Sequence, residues 1–293
     1  MVILGGPHML MTIRSLILFA LFLSVTTGAH AQQRPLVTED PETIGAGRVL
    51  LEGGVSFDKS QKNFANGIEG DITHIATLGI SIGAGAIAEL QIDGGFYQNL
   101  DVNRRFGPAP LDYTTLLLPG DSEASLEDLV VATKVRVASE TASRPALGVR
   151  LGAKLPAAEP DKGIGLGTTD VFASFLIAKT VRSVRTVGNV GVIVLGDPQD
   201  AQDPLSALTF GGSIARALTN EFEMVGEFNG RLAPFAEFTP AGLESRGVFR
   251  LAGRYTYRML RLDFGILAGF TERDPSFGIS AGATYVISGR ATP

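Results

Sequence analysis

The chain has no cysteine and no tryptophan, and only three histidines and five tyrosines in 293 residues. Without thiols there is no cysteine nucleophile, disulfide staple, zinc–thiolate centre or iron–sulfur cluster. Basic charge is short as well, with 25 Lys plus Arg against 30 Asp plus Glu, which argues against nucleic-acid binding through a basic patch. The longest apolar run, Leu16 to Val25, falls short of the roughly 18 to 20 residues that a spanning helix needs. A helical membrane protein is therefore excluded.

That short run belongs to a leader. Residues 1–31 carry Arg14 as their only formal charge and end on Ala29-His30-Ala31, a small-x-small cleavage site. The start is open among Met1, Met9 and Met11. Cleavage after Ala31 leaves 262 residues of net charge −6 with His74 as the sole histidine.

What the mature chain does have is alternation with period two, which sends successive side chains to opposite faces of a strand. In 48–58, Val49, Leu51, Val55 and Phe57 share one face and Glu52, Ser56 and Asp58 the other. Residues 221–231 set Phe222, Met224, Gly226 and Phe228 against Glu221, Glu223, Glu227, Asn229 and Arg231. In 244–257, Phe249, Leu251, Tyr255 and Tyr257 oppose Arg246, Arg250, Arg254 and Thr256. In 260–270, Leu262, Phe264 and Ile266 oppose Arg261 and Asp263. Segment 277–287 is apolar on one face and mostly Gly, Ser and Thr on the other. Segments 71–82, 87–98, 125–138, 145–155, 169–180, 184–195 and 205–217 follow the rule less strictly; in 87–98, Leu90, Ile92 and Phe96 oppose Glu89, Gln91, Asp93 and Tyr97. The pattern predicts about twelve strands.

The gaps sort by length. Those after odd-numbered strands hold 12, 26, 13, 9, 12 and 6 residues, and those after even-numbered ones 4, 6, 3, 3 and 2. Tight turns at one end and long loops at the other describe a bacterial outer-membrane barrel, and strands of this length cross a bilayer when tilted. An edge strand in hydrocarbon would leave its N–H and C=O groups unpaired, so the sheet must close. The expected fold is all-β, a single antiparallel up-and-down transmembrane β-barrel of about 12 strands. Its organisation is a signal peptide at 1–31, an N-terminal periplasmic segment at 32–47, the barrel at 48–287 and a C-terminal extension at 288–293.

Several stretches carry a family likeness: Arg34-Pro35-Leu36-Val37-Thr38-Glu39-Asp40-Pro41-Glu42-Thr43 after the leader, Leu51-Glu52-Gly53-Gly54, Glu127-Asp128-Leu129 leading to Thr133-Lys134-Val135-Arg136, Lys154-Leu155-Pro156, and Ala281-Gly282-Ala283-Thr284-Tyr285-Val286. Through them the chain resembles the outer-membrane β-barrel family associated with meta-pathway phenol degradation and transport. The resemblance implies a channel or transporter for small hydrophobic or aromatic solutes. Outer-membrane lipid and the outer-membrane assembly machinery would be its partners.

Motifs suggesting enzymatic chemistry fail on context. Gly79-Ile80-Ser81-Ile82-Gly83 matches the serine-hydrolase elbow, but no histidine follows Ser81 and no helical pattern follows Gly83. A barrel phospholipase needs His and Ser two residues apart on one strand, and position 76 is alanine. Asp197, Asp200 and Asp203 lack the spacing of a known calcium loop. Gly163-Ile164-Gly165-Leu166-Gly167 lacks the Gly-Lys-Ser/Thr ending of a phosphate loop. No enzyme activity, cofactor or metal is expected.

The remaining candidates are charges whose alternation turns them toward a lumen: Glu52, Glu89, Asp93, Asp128, Lys134, Arg136, Arg150, Lys154, Glu223, Glu227, Arg231, Arg250, Arg254, Arg261 and Asp263. They either set pore polarity or pair across neighbouring strands and hold the wall together. Two other readings stay open. One is a periplasmic or surface-attached lipid-binding β protein with its apolar face inward. The other is a structural barrel with a plugged lumen, for which 99–124, holding Pro108, Pro110 and Pro119, is the candidate constriction.

Overall fold

The structure, a computed structural model, describes residues 34–63, 65–106, 117–196, 205–233 and 241–288. The leader, residues 107–116 of the proline-bearing loop, the Asp197–Asp203 loop and most of the C-terminal extension lie outside the described residues. None of the described helices is long and apolar enough to cross a membrane.

Thirteen strands are described: β1 (Arg48–Asn63), β2 (Ile68–Gly83), β3 (Ala88–Arg105), β4 (Ser122–Ser125), β5 (Leu129–Ala138), β6 (Ala146–Leu155), β7 (Asp170–Val181), β8 (Val184–Leu195), β9 (Leu205–Ala217), β10 (Phe222–Leu232), β11 (Arg246–Tyr257), β12 (Leu260–Gly269) and β13 (Phe277–Ser288). All pairings are antiparallel, and β13 returns to β1 over Arg48↔Ser288 to Lys59↔Phe277. Twelve strands thus close a barrel; β4 lies outside the count, pairing with β3 at Gln98–Asp101 while β3 pairs β5 over Ala88–Asp93. Closure removes the unpaired edge that any open sheet carries.

The short connections, including two-residue turns at Arg182-Ser183 and Arg258-Met259, gather at the end where β1 begins and β13 ends. Both arginines sit at positive φ, 56° and 57°, which a tight hairpin demands of its first turn residue. At the opposite end the first hairpin departs from expectation. Strands β1 and β2 run on past Asp58 and below Asp71 to meet at Asn63↔Ile68, so most of the expected 59–70 loop is strand. The extension is polar on both faces, Lys59-Ser60-Gln61-Lys62-Asn63. Alternation reports a strand only where one side is greasy and so missed it. Strand β3 also runs on, through Asn99, Asp101 and Asn103 to Arg105, with Leu100 and Val102 buried on its other face.

Exposure divides the wall cleanly. Phe228, Leu251 and Ile266 are 43%, 41% and 41% exposed, whereas Glu227 and Asp263 beside them are 1% and 5% exposed. Phe249, Leu262, Phe264, Ile279, Tyr285 and Ile287 also face outward. One local exception corrects the sequence reading: Phe96 and Tyr97 are both exposed, so Tyr97 is not on the Glu89 face. Opposite them Ala76 adopts φ 56° at a register slip between β1 and β2, and this bulge resets the alternation.

Candidate functional site

The interior is where the chemistry sits, because the strands turn one side chain in two into it. The expected 32–47 segment does not stay outside the barrel: residues 34–44 run within it, bonded to inward-facing side chains around its circumference. Arg34 donates from its backbone N–H to Glu52 Oε1 at 3.2 Å and from Nη1 to Thr77 Oγ1 at 2.8 Å. Its carbonyl accepts from Arg254 Nε and Arg261 Nη2, each at 3.1 Å. Leu36 packs on the Ala215, Val225 and Ala252 cluster across the barrel. The N–H groups of Val37 and Thr38 both donate to Glu227. Asp40 pairs with Arg185, Glu42 with Arg136, and the Ile44 N–H donates to Glu89 Oε2 at 2.8 Å.

Glu39 is the hub. Its carboxylate lies 3.2 Å from Lys134 Nζ and 3.2 Å from Arg150 Nε. Its backbone N–H donates to Asn189 Oδ1 at 2.6 Å, and its carbonyl accepts from Asn189 Nδ2 at 2.8 Å. A backbone crossing a lumen must satisfy each N–H and C=O in the absence of a ladder, and the amide of Asn189 does both for one residue.

The fifteen candidate charges are all buried or half-buried, and all have partners. Glu89 meets Lys134 at 3.0 Å, Asp93 meets Arg150 at 3.7 Å, and Asp128 meets Lys154 at 2.9 Å, with Asp170 on the far side of that lysine at 3.3 Å. Glu227 takes Arg250 at 2.8 Å and Glu223 takes Arg254 at 3.1 Å. Arg231 donates to the carbonyls of Glu244 and Gly242. Glu52 accepts from Thr284 Oγ1 at 3.0 Å, and Arg261 stands 3.9 Å from Glu52. Asp263, buried, lies 3.9 Å from Arg34. Cross-strand pairing thus accounts for part of the set, and pairing with the inward segment for much of the rest. Sequence reasoning missed Arg34, Glu39, Asp40, Glu42, Arg185 and Asn189. It named the first four only as part of a family signature.

Above Val37–Glu39 lies a cavity of about 260 Å³, walled by β6 to β10. Phe172 and Ile193, partners across β7 and β8, line it together with Ser174 and Thr209 one step along the strands and Asn229 on β10. The Arg150 guanidinium sits 5.0 Å from the Phe172 ring centroid. Among the described residues the hydroxyls of Ser174 and Thr209 have no protein hydrogen bond, and Asn229 spends its Oδ1 on Arg250. The arrangement can hold a small planar molecule against Phe172 with its polar substituents bonded by the neighbouring hydroxyls.

At the long-loop end the interior is partly filled by apolar packing: Ile164 and Leu117 join Ile68, Ile72, Leu100, Val102 and Ala158. The glycines of the Gly163–Gly167 motif take φ 77°, 71° and 69°, a left-handed alternation open to glycine alone without strain. It turns Ile164 and Leu166 toward neighbouring clusters. That motif is a loop fold. His74 Nδ1 bonds Glu127 at 2.6 Å, with Asp58 3.7 Å from Nε2, tying β2 to the chain entering β5. Of the 99–124 stretch, the described parts are the end of β3, residues 117–121 and β4, and Leu100, Val102 and Leu117 enter the interior cluster. Among the described residues the segment that crosses the lumen is 34–44.

No protein-family model matches the chain, and no curated protein sequence matches it. Among solved structures the barrel is similar to an outer membrane channel from Pseudomonas putida F1, with a TM-score of 0.59 and 13% identity over 85% of this chain and 98% of that one. The NanC porin gives 0.48 and 7% over 81% and 98%, and the outer membrane channel DcaP of Acinetobacter baumannii 0.40 and 10% over 82% and 98%. At such identity the likeness to the Pseudomonas channel speaks for the fold.

Proposed function

We propose that the chain, after removal of residues 1–31, is an outer-membrane channel passing small solutes, aromatic or otherwise hydrophobic ones among them. The observation that carries this reading is the division of the wall, apolar outside and ionised inside. A lipid-binding protein of the periplasm would need the reverse, since its cargo lies within and water without. Outer-membrane lipid covers the apolar band, and the assembly machinery inserts the barrel. The cavity beside Phe172, and the resemblance to phenol-associated barrels, favour aromatic solutes. A second reading, a plugged structural barrel, is favoured by the 34–44 segment.

Liposome swelling with a panel of phenols, benzoates and sugars separates the two. Entry of phenols ahead of sugars, with that preference lost in Phe172→Ala, is the expected result. Swelling by no solute, in the native chain or after the segment is untethered, would sink the channel. The lipid-facing band has its own test. Ile266→Arg puts a charge near the middle of β12 on the outer face, expected to cost about 2–4 kcal/mol in lipid. Urea titration in vesicles reads it, and a cost near zero would mean that the outer face is wet.

A further inference from the structure

We infer that the short-turn end carries a docking surface for the phosphate of anionic phospholipid headgroups, formed by Arg182, Arg216 and Arg258. The inference rests on the membrane-barrel reading above. All three are exposed. Arg216 pairs in register with Val184 on β8 and Met224 on β10 and lies on the outer face with Ile214, which is 56% exposed. Arg182 occupies the neighbouring turn, where Ala217 N–H donates to the Ser183 carbonyl at 3.2 Å. Arg258 stands 5.3 Å from the Tyr257 ring centroid.

Their level on the wall is the level of a bilayer interface. Tyr255, Tyr257 and Tyr285 are exposed at this end, as ring systems with a polar tip are at headgroup depth. Beside them Val181, Leu218 and Met259 are exposed apolar groups at the strand ends. Arginines just beyond such a belt meet phosphate, which their planar fork binds in bidentate fashion.

What singles these three out is that, among the described residues, they have neither an acid nor a hydrogen bond to hold them, whereas Arg48 and Arg144 at the same end donate to the carbonyls of Ile44 and Ser139. The nearby basic groups are used within the protein: Arg185 pairs with Asp40 and Glu140, and Lys179 with Glu140. Arg182 and Arg216 have no hydrogen bond or ion pair among the described residues, and Arg258 has only its ring contact. The acids at this rim are engaged elsewhere, Glu140 by Thr180, Lys179 and Arg185, and Glu221 by Thr219. Two of the three also sit at left-handed φ, where glycine or asparagine is the ordinary choice. A strained position filled by a long cation at both two-residue hairpins is unexplained by anything inside the fold.

The test uses the purified full chain and the triple variant Arg182→Gln, Arg216→Gln, Arg258→Gln in vesicles of phosphatidylglycerol or phosphatidylcholine. Native mass spectrometry after extraction counts retained lipid. The native chain is expected to keep phosphatidylglycerol in preference, and the triple variant to lose roughly fivefold of that preference per arginine. The corresponding triple Lys variant retains most of it. Inorganic phosphate at matched concentration is expected not to displace the lipid. Equal retention by native chain and Gln variant, equal retention of both lipids by the native chain, or displacement by free phosphate overturns the inference. Chain that floats with vesicles without lipid preference fails this inference alone, whereas chain left in the aqueous fraction fails the membrane reading beneath it.

Discussion

Alanine at Glu39 is expected to raise single-channel conductance in a planar bilayer severalfold, with longer and noisier open events. Glu39 is 3% exposed and anchors the lumen-crossing segment at its centre. Its carboxylate joins Lys134, Arg150 and, at 3.4 Å, Gln91 Nε2. Breaking a buried ion pair by removing one partner costs about 3–5 kcal/mol, because the other charge stays buried without its counterpart. At about 1.4 kcal/mol per tenfold, that is at least two orders of magnitude in the balance between docked and released segment. Released, the segment leaves the lumen at the level where Arg150 and Asp93 face each other 3.7 Å apart. The remaining anchors, Arg34 to Glu52, Val37 and Thr38 to Glu227, the residue 39 backbone to Asn189 and Asp40 to Arg185, make release partial and transient, which is why noise accompanies the rise. An unchanged conductance would show that 34–44 is not what narrows the passage.

The wall was legible in the sequence because it is periodic. Leu251 and Arg250, or Ile266 and Asp263, differ in solvent as well as in residue type, and a strand of half-buried residues writes that difference at every second position. The upper part of β1 was not legible, since Lys62 stands where both faces are polar and no contrast remains, and in β3 the alternation resumes past Phe96-Tyr97 with its sides exchanged, Asp101 and Asn103 exposed and Leu100 and Val102 buried. The inward segment was illegible for another reason. Nothing in Glu39-Asp40-Pro41-Glu42 has a period, and its acids differ from those of a solvated linker only by what they face. A paired lumen also hides its own complement: Lys134 and Arg136 read as pore charges when their partners, Glu39 and Glu42, lie about ninety-five residues earlier in the chain. Nine candidate charges drew partners from the segment: Glu52, Arg254, Arg261 and Asp263 from Arg34, Glu227 from Val37 and Thr38, Lys134 and Arg150 from Glu39, Arg136 from Glu42, and Glu89 from Ile44; no cross-strand rule could have supplied them.

Replacing Lys134 with alanine is expected to be the most destabilising single change in the barrel wall, by about 3–5 kcal/mol. Its side chain is 1% exposed and its ammonium lies between two carboxylates, Glu89 at 3.0 Å and Glu39 at 3.2 Å, themselves 1% and 4% exposed at the side chain. Deleting the cation leaves two buried acids facing each other across the vacated space, with Arg150 the one remaining cation on Glu39 among the described residues. Lys134→Met separates charge from volume: it restores the packing of the stem and leaves the acids unpaired, so most of the cost should persist. Adding Glu89→Gln to Lys134→Met removes one of those acids while its amide oxygen still accepts the Ile44 N–H that Glu89 holds now, and stability is expected to recover in part. Urea midpoints in lipid vesicles, compared at constant slope, read all three variants. A loss below about 0.5 kcal/mol for Lys134→Ala would place this ion pair with exposed ones, and the lumen at that level would then be filled with water rather than with residues 34–44.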